Sequence, residues 1–393
     1  MAKLTVIKEP KGNRVPFLKG ILVQSLLSAG LSFKEAYDVT RTIRKSLENT
    51  EAVSTAELKA TVAALIHKEF GKEARSNYEA GLERKQDIMV HSERGERRFS
   101  IEILSRSLEA CALDSASSHK VADIVEETVR SNGFSTIDSS ELQGFVYRAL
   151  KKHAPKKIAK YYLSRIQFKK SGDPLIILIG GATGTGKSTI TTELAYRLNI
   201  LRTQSTDVMR EIIRSYLAPH MVPTLGYSSF EAWRGLPTES TPANREATNS
   251  RVIDGFLNQF TNVKPALQAT IARTAKERLD IIIEGIHLLP ELDLTVASEK
   301  ALVIPVMLAV TNKQRLAEHI AWRSREQPDR GSARYLEQLE AIWELQSFLL
   351  SKADEAGIPI IANWSMKDTV WDVLQEVNRK INKRYPPDPG LLR

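Results

Sequence analysis

The chain has 393 residues, 42% apolar and 26% charged, the composition of an ordinary soluble protein and a length beyond what one hydrophobic core organises. Its 56 Lys and Arg against 47 Asp and Glu leave a net charge of +9, and a single cysteine, Cys111, excludes an intramolecular disulfide or a cysteine-built zinc cage. Apolar runs such as Leu302 to Val310 are too short to span a bilayer and the N-terminus has no apolar signal core, so a cytoplasmic protein with no membrane partner is expected.

The first 165 or so residues read as one unit written twice. Phe17, Ile21, Leu22, Ser25, Leu26 and Leu31 recur 82 positions later as Phe99, Ile103, Leu104, Ser107, Leu108 and Leu113. Glu57, Leu58, Val62, Lys68, Lys72 and Tyr78 recur 84 positions later as Glu141, Leu142, Val146, Lys152, Lys156 and Tyr162. Each copy opens on a hairpin signal, Lys11-Gly12-Asn13 or Glu93-Arg94-Gly95. Three helical patterns follow, with apolar residues at steps of three and four, as in Leu18, Ile21, Leu22 and Leu26. Ser54-Thr55 and Ser139-Ser140 cap the third helix of each copy ahead of an acidic first turn. A repeat this long implies two small domains rather than a solenoid.

The unit resembles the ATP-cone family through Val6-Ile7-Lys8, Gly12, Val15, Phe17, Ser25-Leu26, Ala29-Gly30-Leu31 and Tyr78. The resemblance covers residues 2–80 well and 86–165 more loosely. It implies a small nucleotide-sensing domain ahead of a catalytic one. The lysine that the family commonly carries before its first helix, to grip phosphate, is missing around Ile21 and Ile103, although Lys8, Lys11, Arg14 and Lys19 lie near. Two readings of residues 1–168 stand side by side: a regulatory nucleotide site, or a scaffold for a homo-oligomer that has lost its ligand.

The excess of positive charge lies in residues 1–170, and nine basic residues between Arg148 and Lys170 meet no acidic one. Such a stretch could hold nucleotide phosphates, or nucleic acid by counterion release. No nucleic-acid motif accompanies Tyr147, Tyr161 and Tyr162, so a solvated helix face is the expectation and nucleic acid is not an expected partner.

An apolar run, Leu175-Ile176-Ile177-Leu178-Ile179, then leads into Gly181-Ala182-Thr183-Gly184-Thr185-Gly186-Lys187-Ser188-Thr189 and a helical pattern at Ile190, Leu194, Ala195 and Leu198. That is the strand, glycine loop and helix of a P-loop. The glycines let successive N–H groups point at phosphate oxygens, and the helix N-terminus adds its positive end. Lys187 is placed for the β- and γ-phosphates and Ser188 for Mg²⁺.

Residues 201–207 read as a second strand ending in Asp207, followed by a helix with Met209, Ile212, Ile213 and Tyr216. At the carboxyl edge of a parallel sheet Asp207 would sit beside the γ-phosphate; as a plain helix cap it would do less. Arg210 and Arg214, one turn apart, could grip an anionic acceptor. A long insert, Met221 to Asn258, reads as the acceptor-binding region, with Ser228, Arg234 and Arg251 as candidate contacts. The branched run Leu279-Asp280-Ile281-Ile282-Ile283-Glu284-Gly285 suits a buried parallel strand and delivers Glu284 as the carboxylate behind the Mg²⁺ water shell. His287 follows, either as an acceptor contact or as a structural histidine. A further strand, Ala301 to Leu308, precedes Arg315, Arg323, Arg325, Arg330 and Arg334, interleaved with Trp322, Pro328 and Gly331. This pattern reads as a mobile lid whose arginines close on the transferring phosphoryl group, with Arg323 and Arg325 catalytic. A last strand, Ile358 to Ile361, and a helix to about Ile381 complete the sheet.

Together, residues 179–188, Ser205-Thr206-Asp207-Val208-Met209-Arg210-Glu211, Ser229-Phe230-Glu231-Ala232-Trp233 and Ile283-Glu284-Gly285-Ile286-His287-Leu288 resemble the 2-phosphoglycerate kinase family over about residues 174–365. The resemblance implies ATP-dependent phosphorylation of 2-phosphoglycerate. Gly181 to Thr189 would bind ATP, Ser188 and Glu284 would hold Mg²⁺, and Asp207 would take the hydroxyl proton. The expected fold is an α/β P-loop NTPase parallel sheet with helices on both faces (169–393), behind two small, mainly helical ATP-cone-like domains (1–84 and 85–168). A kinase of another anionic metabolite, or a nucleotide-gated sensor with weak ATPase activity, remains the alternative.

Overall fold

The computed structural model describes residues 5–8, 13–27, 29–48, 50–83, 88–93, 95–237, 249–326 and 332–392. The chain forms two compact units, residues 1–99 with 127–139 and residues 100–126 with 140–393.

The first unit holds two three-stranded sheets of the same design. In one, β1 (Thr5–Lys8) pairs antiparallel with β2 (Asn13–Pro16) and parallel with the strand that follows α1 (Lys19–Leu27) and α2 (Phe33–Ser46), β3 (Ala52–Ser54). The next helix, α3 (Thr55–Glu83), is broken at Gly71, whose φ of 85° is non-helical. In the other sheet, β4 (Met89–Ser92) pairs antiparallel with β5 (Gly95–Arg98). Beyond α4 (Ile101–Glu109) and α5 (Ser115–Ser131), β6 (Thr136–Asp138) returns parallel to β4. The central pairs Val6↔Val53 and Val90↔Ile137 lie 84 positions apart, so the repeat in sequence is a repeat in structure. The first copy closes on Phe17, Leu26, Val39, Ile43, Val62 and Ile66, apolar faces spaced at helical steps.

In the second copy the break equivalent to Gly71 falls at Pro155, between α6 (Ser139–His153) and α7 (Lys156–Ser171). Proline lacks the N–H that would continue the helix. The basic stretch lies on these two helices. Arg148 stacks on Phe145 and Lys151 on Tyr147, while Arg165 is buried with its Nη1 3.3 Å from Asn378 Oδ1. Cys111 is buried, and burial pushes its thiol up to about 11, which makes it a packed residue rather than a nucleophile.

The second unit is built on a five-stranded parallel sheet. In chain order come β7 (Leu175–Gly180), α8 (Lys187–Leu198), β8 (Thr203–Ser205), α9 (Thr206–Tyr216), α10 (Asn249–Lys276), β9 (Ile281–Gly285), α11 (Thr295–Lys300) and β10 (Leu302–Ala309). Then follow α12 (Lys313–Glu326), α13 (Ser332–Glu337), α14 (Leu339–Glu355), β11 (Ile360–Ala362) and α15 (Met366–Arg384). The strand order is β11-β10-β7-β9-β8, with the P-loop strand in the middle. Alternate side chains of β7 serve opposite cores, as the strand period of two requires. Ile176 and Leu178 pack with the α10 and α14 residues Phe256, Phe260, Ile342 and Leu345; Ile177 and Ile179 pack with Ile190, Leu194, Val373 and Val377 of α8 and α15. Helices thus cover both faces, as expected for this class.

Helices of the second copy share this unit. Glu109 of α4 pairs with Arg197 of α8 at 3.0 Å, and Arg106 sits 4.8 Å from the ring centre of Tyr196. Asn378 of α15 donates to the Ala110 carbonyl at 2.8 Å. No helix among the described residues is long and apolar enough to cross a membrane.

Candidate active site

Three parallel strands end together. Ile179 pairs with Glu284, Gly180 with Gly285, and Ser205 with Glu284, so the P-loop, Glu284 and the start of α9 leave the sheet at one edge. This is where a doubly wound sheet binds its ligands.

The loop is wound too tightly for a side chain at Gly181 and Gly186. Gly181 and Gly186 have φ of 151° and 84°. A Cβ on Gly181 would lie 2.7 Å from Thr185 Oγ1 and 2.9 Å from the Leu308 carbonyl; one on Gly186 would lie 2.5 Å from Asn363 Nδ2. Only a chain without Cβ atoms there brings its N–H groups onto a polyphosphate. Lys187 donates to the Ala182 carbonyl at 2.7 Å, as does Thr185 through its hydroxyl at 2.9 Å. Asn363, just past β11, donates to the Thr185 carbonyl at 2.9 Å, and its own Oδ1 accepts from Thr369 at 2.9 Å. On the other side α12 closes in: Leu316 and Ile320 pack at Gly184, and His319 Nδ1 lies 3.3 Å from its carbonyl. Ala182 is buried, Thr183 half-buried, and Thr189 exposed on the first turn of α8.

Ser188 Oγ donates to Glu284 Oε1 at 3.1 Å. A hydroxyl and a carboxylate, side by side beside the phosphate loop, are the hard oxygen donors that Mg²⁺ takes together with substrate phosphates. The residues fit the ion.

Asp207 stands on the first turn of α9 rather than at a strand end, because β8 stops at Ser205. The capping role falls to Ser205, whose Oγ accepts from the Asp207 N–H at 3.2 Å, so the exposed Asp207 carboxylate is not spent on it.

Behind this edge lies a polar network that sequence reasoning missed. Gln259 of α10 donates to the carbonyls of Thr224 at 2.8 Å and Tyr227 at 3.0 Å. Its Oε1 therefore accepts, from the Ser229 hydroxyl at 2.7 Å and from His287 Nε2 at 3.0 Å. With the proton on Nε2, His287 Nδ1 accepts from Thr206 Oγ1 at 3.0 Å. Burial pushes His287 down to about 4, so it is neutral at pH 7. Of the two readings of His287, an acceptor contact or a structural histidine, the second fits: it is fully buried with both ring nitrogens engaged. It ties the residue before Asp207 to the insert.

The insert is partly helical: α10 begins at Asn249 and carries Arg251. Arg210 donates to the Tyr227 carbonyl and pairs with Glu211 at 2.7 Å, while its buried Nε has no hydrogen-bond partner among the described residues. Arg214 pairs with the same Glu211 and is half-exposed. Ser228 is half-buried, with its carbonyl accepting from the Glu231 N–H at 2.8 Å. Arg234 and Arg251 both flank the Trp233 ring, at 5.5 and 5.4 Å from its centre. Of the expected lid, Arg315 stacks on Trp364 and bonds its carbonyl, and Arg334 pairs with the buried Glu231. The Glu231 hydrogen bond raises the Arg334 pKa further. The side chains of Arg323 and Arg325, and Arg330 as a whole, lie outside the described residues, as do Pro328 and Gly331.

The ATP cone domain model matches residues 89–171, the copy whose sequence resemblance reads as the looser of the two. A 2-phosphoglycerate kinase of Pyrococcus furiosus is 34% identical over 282 residues, covering 72% of this chain and 90% of that protein. One of Methanopyrus kandleri is 32% identical over 297 residues, 75% of this chain and 88% of that protein. One of Thermococcus kodakarensis is 32% identical over 297 residues, 75% and 98%. Among solved structures, a gluconokinase of Sinorhizobium meliloti 1021 aligns at 16% identity over 54% of this chain and 96% of that one, with a TM-score of 0.33, too slight a likeness to bear on the fold. On its relatives, the chain belongs to the 2-phosphoglycerate kinase family.

Proposed function

We propose that the protein transfers the γ-phosphoryl group of ATP to the free hydroxyl of 2-phosphoglycerate, forming 2,3-bisphosphoglycerate and ADP. The observation that carries the reading is the meeting of the glycine loop, the Ser188–Glu284 pair and Asp207 at one sheet edge, in a chain of this family. Residues 181–189 hold the ATP phosphates. Lys187 neutralises charge that develops between the β- and γ-phosphates. Asp207 orients the acceptor hydroxyl and takes its proton as the oxygen bonds to phosphorus and ADP leaves. Ser188 and Glu284 would hold Mg²⁺, which when bound supplies charge to the phosphate oxygens. Catalysis is positioning and electrostatics. The acceptor carries a phosphate and a carboxylate, which Arg210, Arg214, Arg234 and Arg251 are suited to grip, with Ser228 beside them; Arg323 and Arg325 are assigned to the transferring group.

In domain terms, two ATP-cone-like segments, 1–84 and 85–168, precede a kinase domain, 169–393. The first segments take a regulatory nucleotide on this reading, and the protein works in the cytoplasm. Incubation with ATP, Mg²⁺ and 2-phosphoglycerate should give a second phosphomonoester signal by ³¹P NMR, absent with Lys187→Ala. Release of inorganic phosphate alone would contradict the assignment.

A further inference from the structure

Around Trp233, among the described residues, more guanidinium groups gather than carboxylates pair with them. The guanidinium groups of Arg234 and Arg251 flank the ring, and Arg334 joins them through Glu231, which it shares with Arg234. Glu231 is only 3% exposed, and it is the only carboxylate that pairs with these arginines among the described residues. Among the described residues, three guanidinium groups share one paired carboxylate, so two positive charges have no paired carboxylate there. Two donors of the cluster, Arg251 Nη1 and Trp233 Nε1, are shut off from water and have no hydrogen-bond partner among the described residues. An unpaired buried donor is costly, and one on a cation more so. An arrangement of this kind is stable when an anion accepts from those donors. The ring contact between Phe230 and Tyr335, at 5.4 Å, fastens α13 and its Arg334 to the insert.

We propose that this cluster binds the phosphate that the acceptor already carries, with Arg251, Arg234 and Arg334 as its cationic partners and the Trp233 indole N–H as a neutral donor. The inference rests on the acceptor being a phosphorylated acid. A phosphomonoester dianion matches the two charges that have no paired carboxylate, whereas a carboxylate leaves one uncompensated. Planar guanidinium groups present paired N–H donors to phosphate oxygens. Glu231 is a positioning residue: it pairs with both Arg234 and Arg334 and does not itself touch the ligand.

The test is a titration of the full-length protein, read by tryptophan emission, with 2-phosphoglycerate, glycerate and inorganic phosphate in turn. Trp233→Phe identifies the part of the signal that belongs to this ring. The expected result is a Trp233-dependent change with 2-phosphoglycerate and with phosphate, and none with glycerate at the same concentration. Arg251→Gln should raise the Kd for 2-phosphoglycerate about tenfold or more while the KM for ATP stays within about twofold. Arg334→Gln, at a half-exposed residue, is the second variant should Arg251→Gln fold poorly, and should give the same split. Equal binding of glycerate and 2-phosphoglycerate would overturn the proposal, as would an unchanged Kd in a folded Arg251→Gln or Arg334→Gln protein. A Trp233-dependent response to 2-phosphoglycerate without any ADP formation would sink the kinase reading and leave the phosphate site standing.

Discussion

His287 makes the stability of the kinase half depend on pH in a way that can be calculated. Its pKa is lowered from 6.5 to about 4 because burial disfavours the imidazolium, and its two nitrogens are committed, one as donor to Gln259 and one as acceptor from Thr206. As pH falls below 6.5 the unfolded chain takes up the proton first. The contribution to stability is therefore intact above pH 6.5 and lost as pH falls toward 4. The full shift corresponds to about 3 kcal/mol, and about 2 kcal/mol of it is gone at pH 5. His287→Gln removes the titration and keeps one amide N–H for Gln259. All five tryptophans lie between Trp233 and Trp371, so tryptophan emission in urea follows the kinase half alone. The variant should be less stable than the parent at pH 7.5, and the gap should narrow by about 2 kcal/mol at pH 5. Parallel loss of stability in both proteins between pH 7.5 and 5 would refute the buried neutral histidine and the network built on it.

Other perturbations follow from the same geometry. A Cβ at residue 285 would fall 1.8 Å from Thr206 Oγ1, so Gly285→Ala should cost about 2–4 kcal/mol and lower kcat through the displaced α9 terminus; the added Thr206→Ala should restore part of the stability in a double-mutant cycle. Glu284→Gln should raise the Mg²⁺ concentration for half-maximal rate about tenfold or more with little change in Kd for 2-phosphoglycerate, and an unaltered Mg²⁺ curve would remove Glu284 from the metal site. Deletion of residues 1–169 strips α7 from α15, including the Arg165–Asn378 and Ser164–Asn382 contacts, so the remaining protein should melt well below one that begins at residue 85. Equal melting temperatures would show that α7 contributes nothing to the kinase core.

The sheet was legible because its strands are buried on both faces. Continuous branched runs at 175–179 and 281–283 admit few other readings, and the glycine loop fixes which strand lies beside the nucleotide. The repeat was legible in the same way, from core positions that recur in step. Asp207 was misplaced by two residues because Ser205 and Asp207 are both cap formers, and spacing does not say which one caps. The start of α10 was hidden for another reason. Its apolar stripe, Val252, Phe256, Phe260 and Val263, starts inside the insert that reads as the acceptor-binding region, Met221 to Asn258, and runs on past its end, so the insert's bounds cut across the helical period. Gln259 and Asn363 gave no signal at all, and Glu231 and Thr206 stood out only as members of the family segments, with no role of their own. Each is a lone polar residue whose role depends on partners far away in sequence, such as Thr185 for Asn363 and Arg334 for Glu231.

The most direct measurement is ADP formation from ATP and Mg²⁺ with 2-phosphoglycerate, 3-phosphoglycerate, glycerate or no acceptor. The account predicts stimulation by 2-phosphoglycerate alone, with one bisphosphorylated product formed per ADP. Slow hydrolysis that is the same in all four would contradict it.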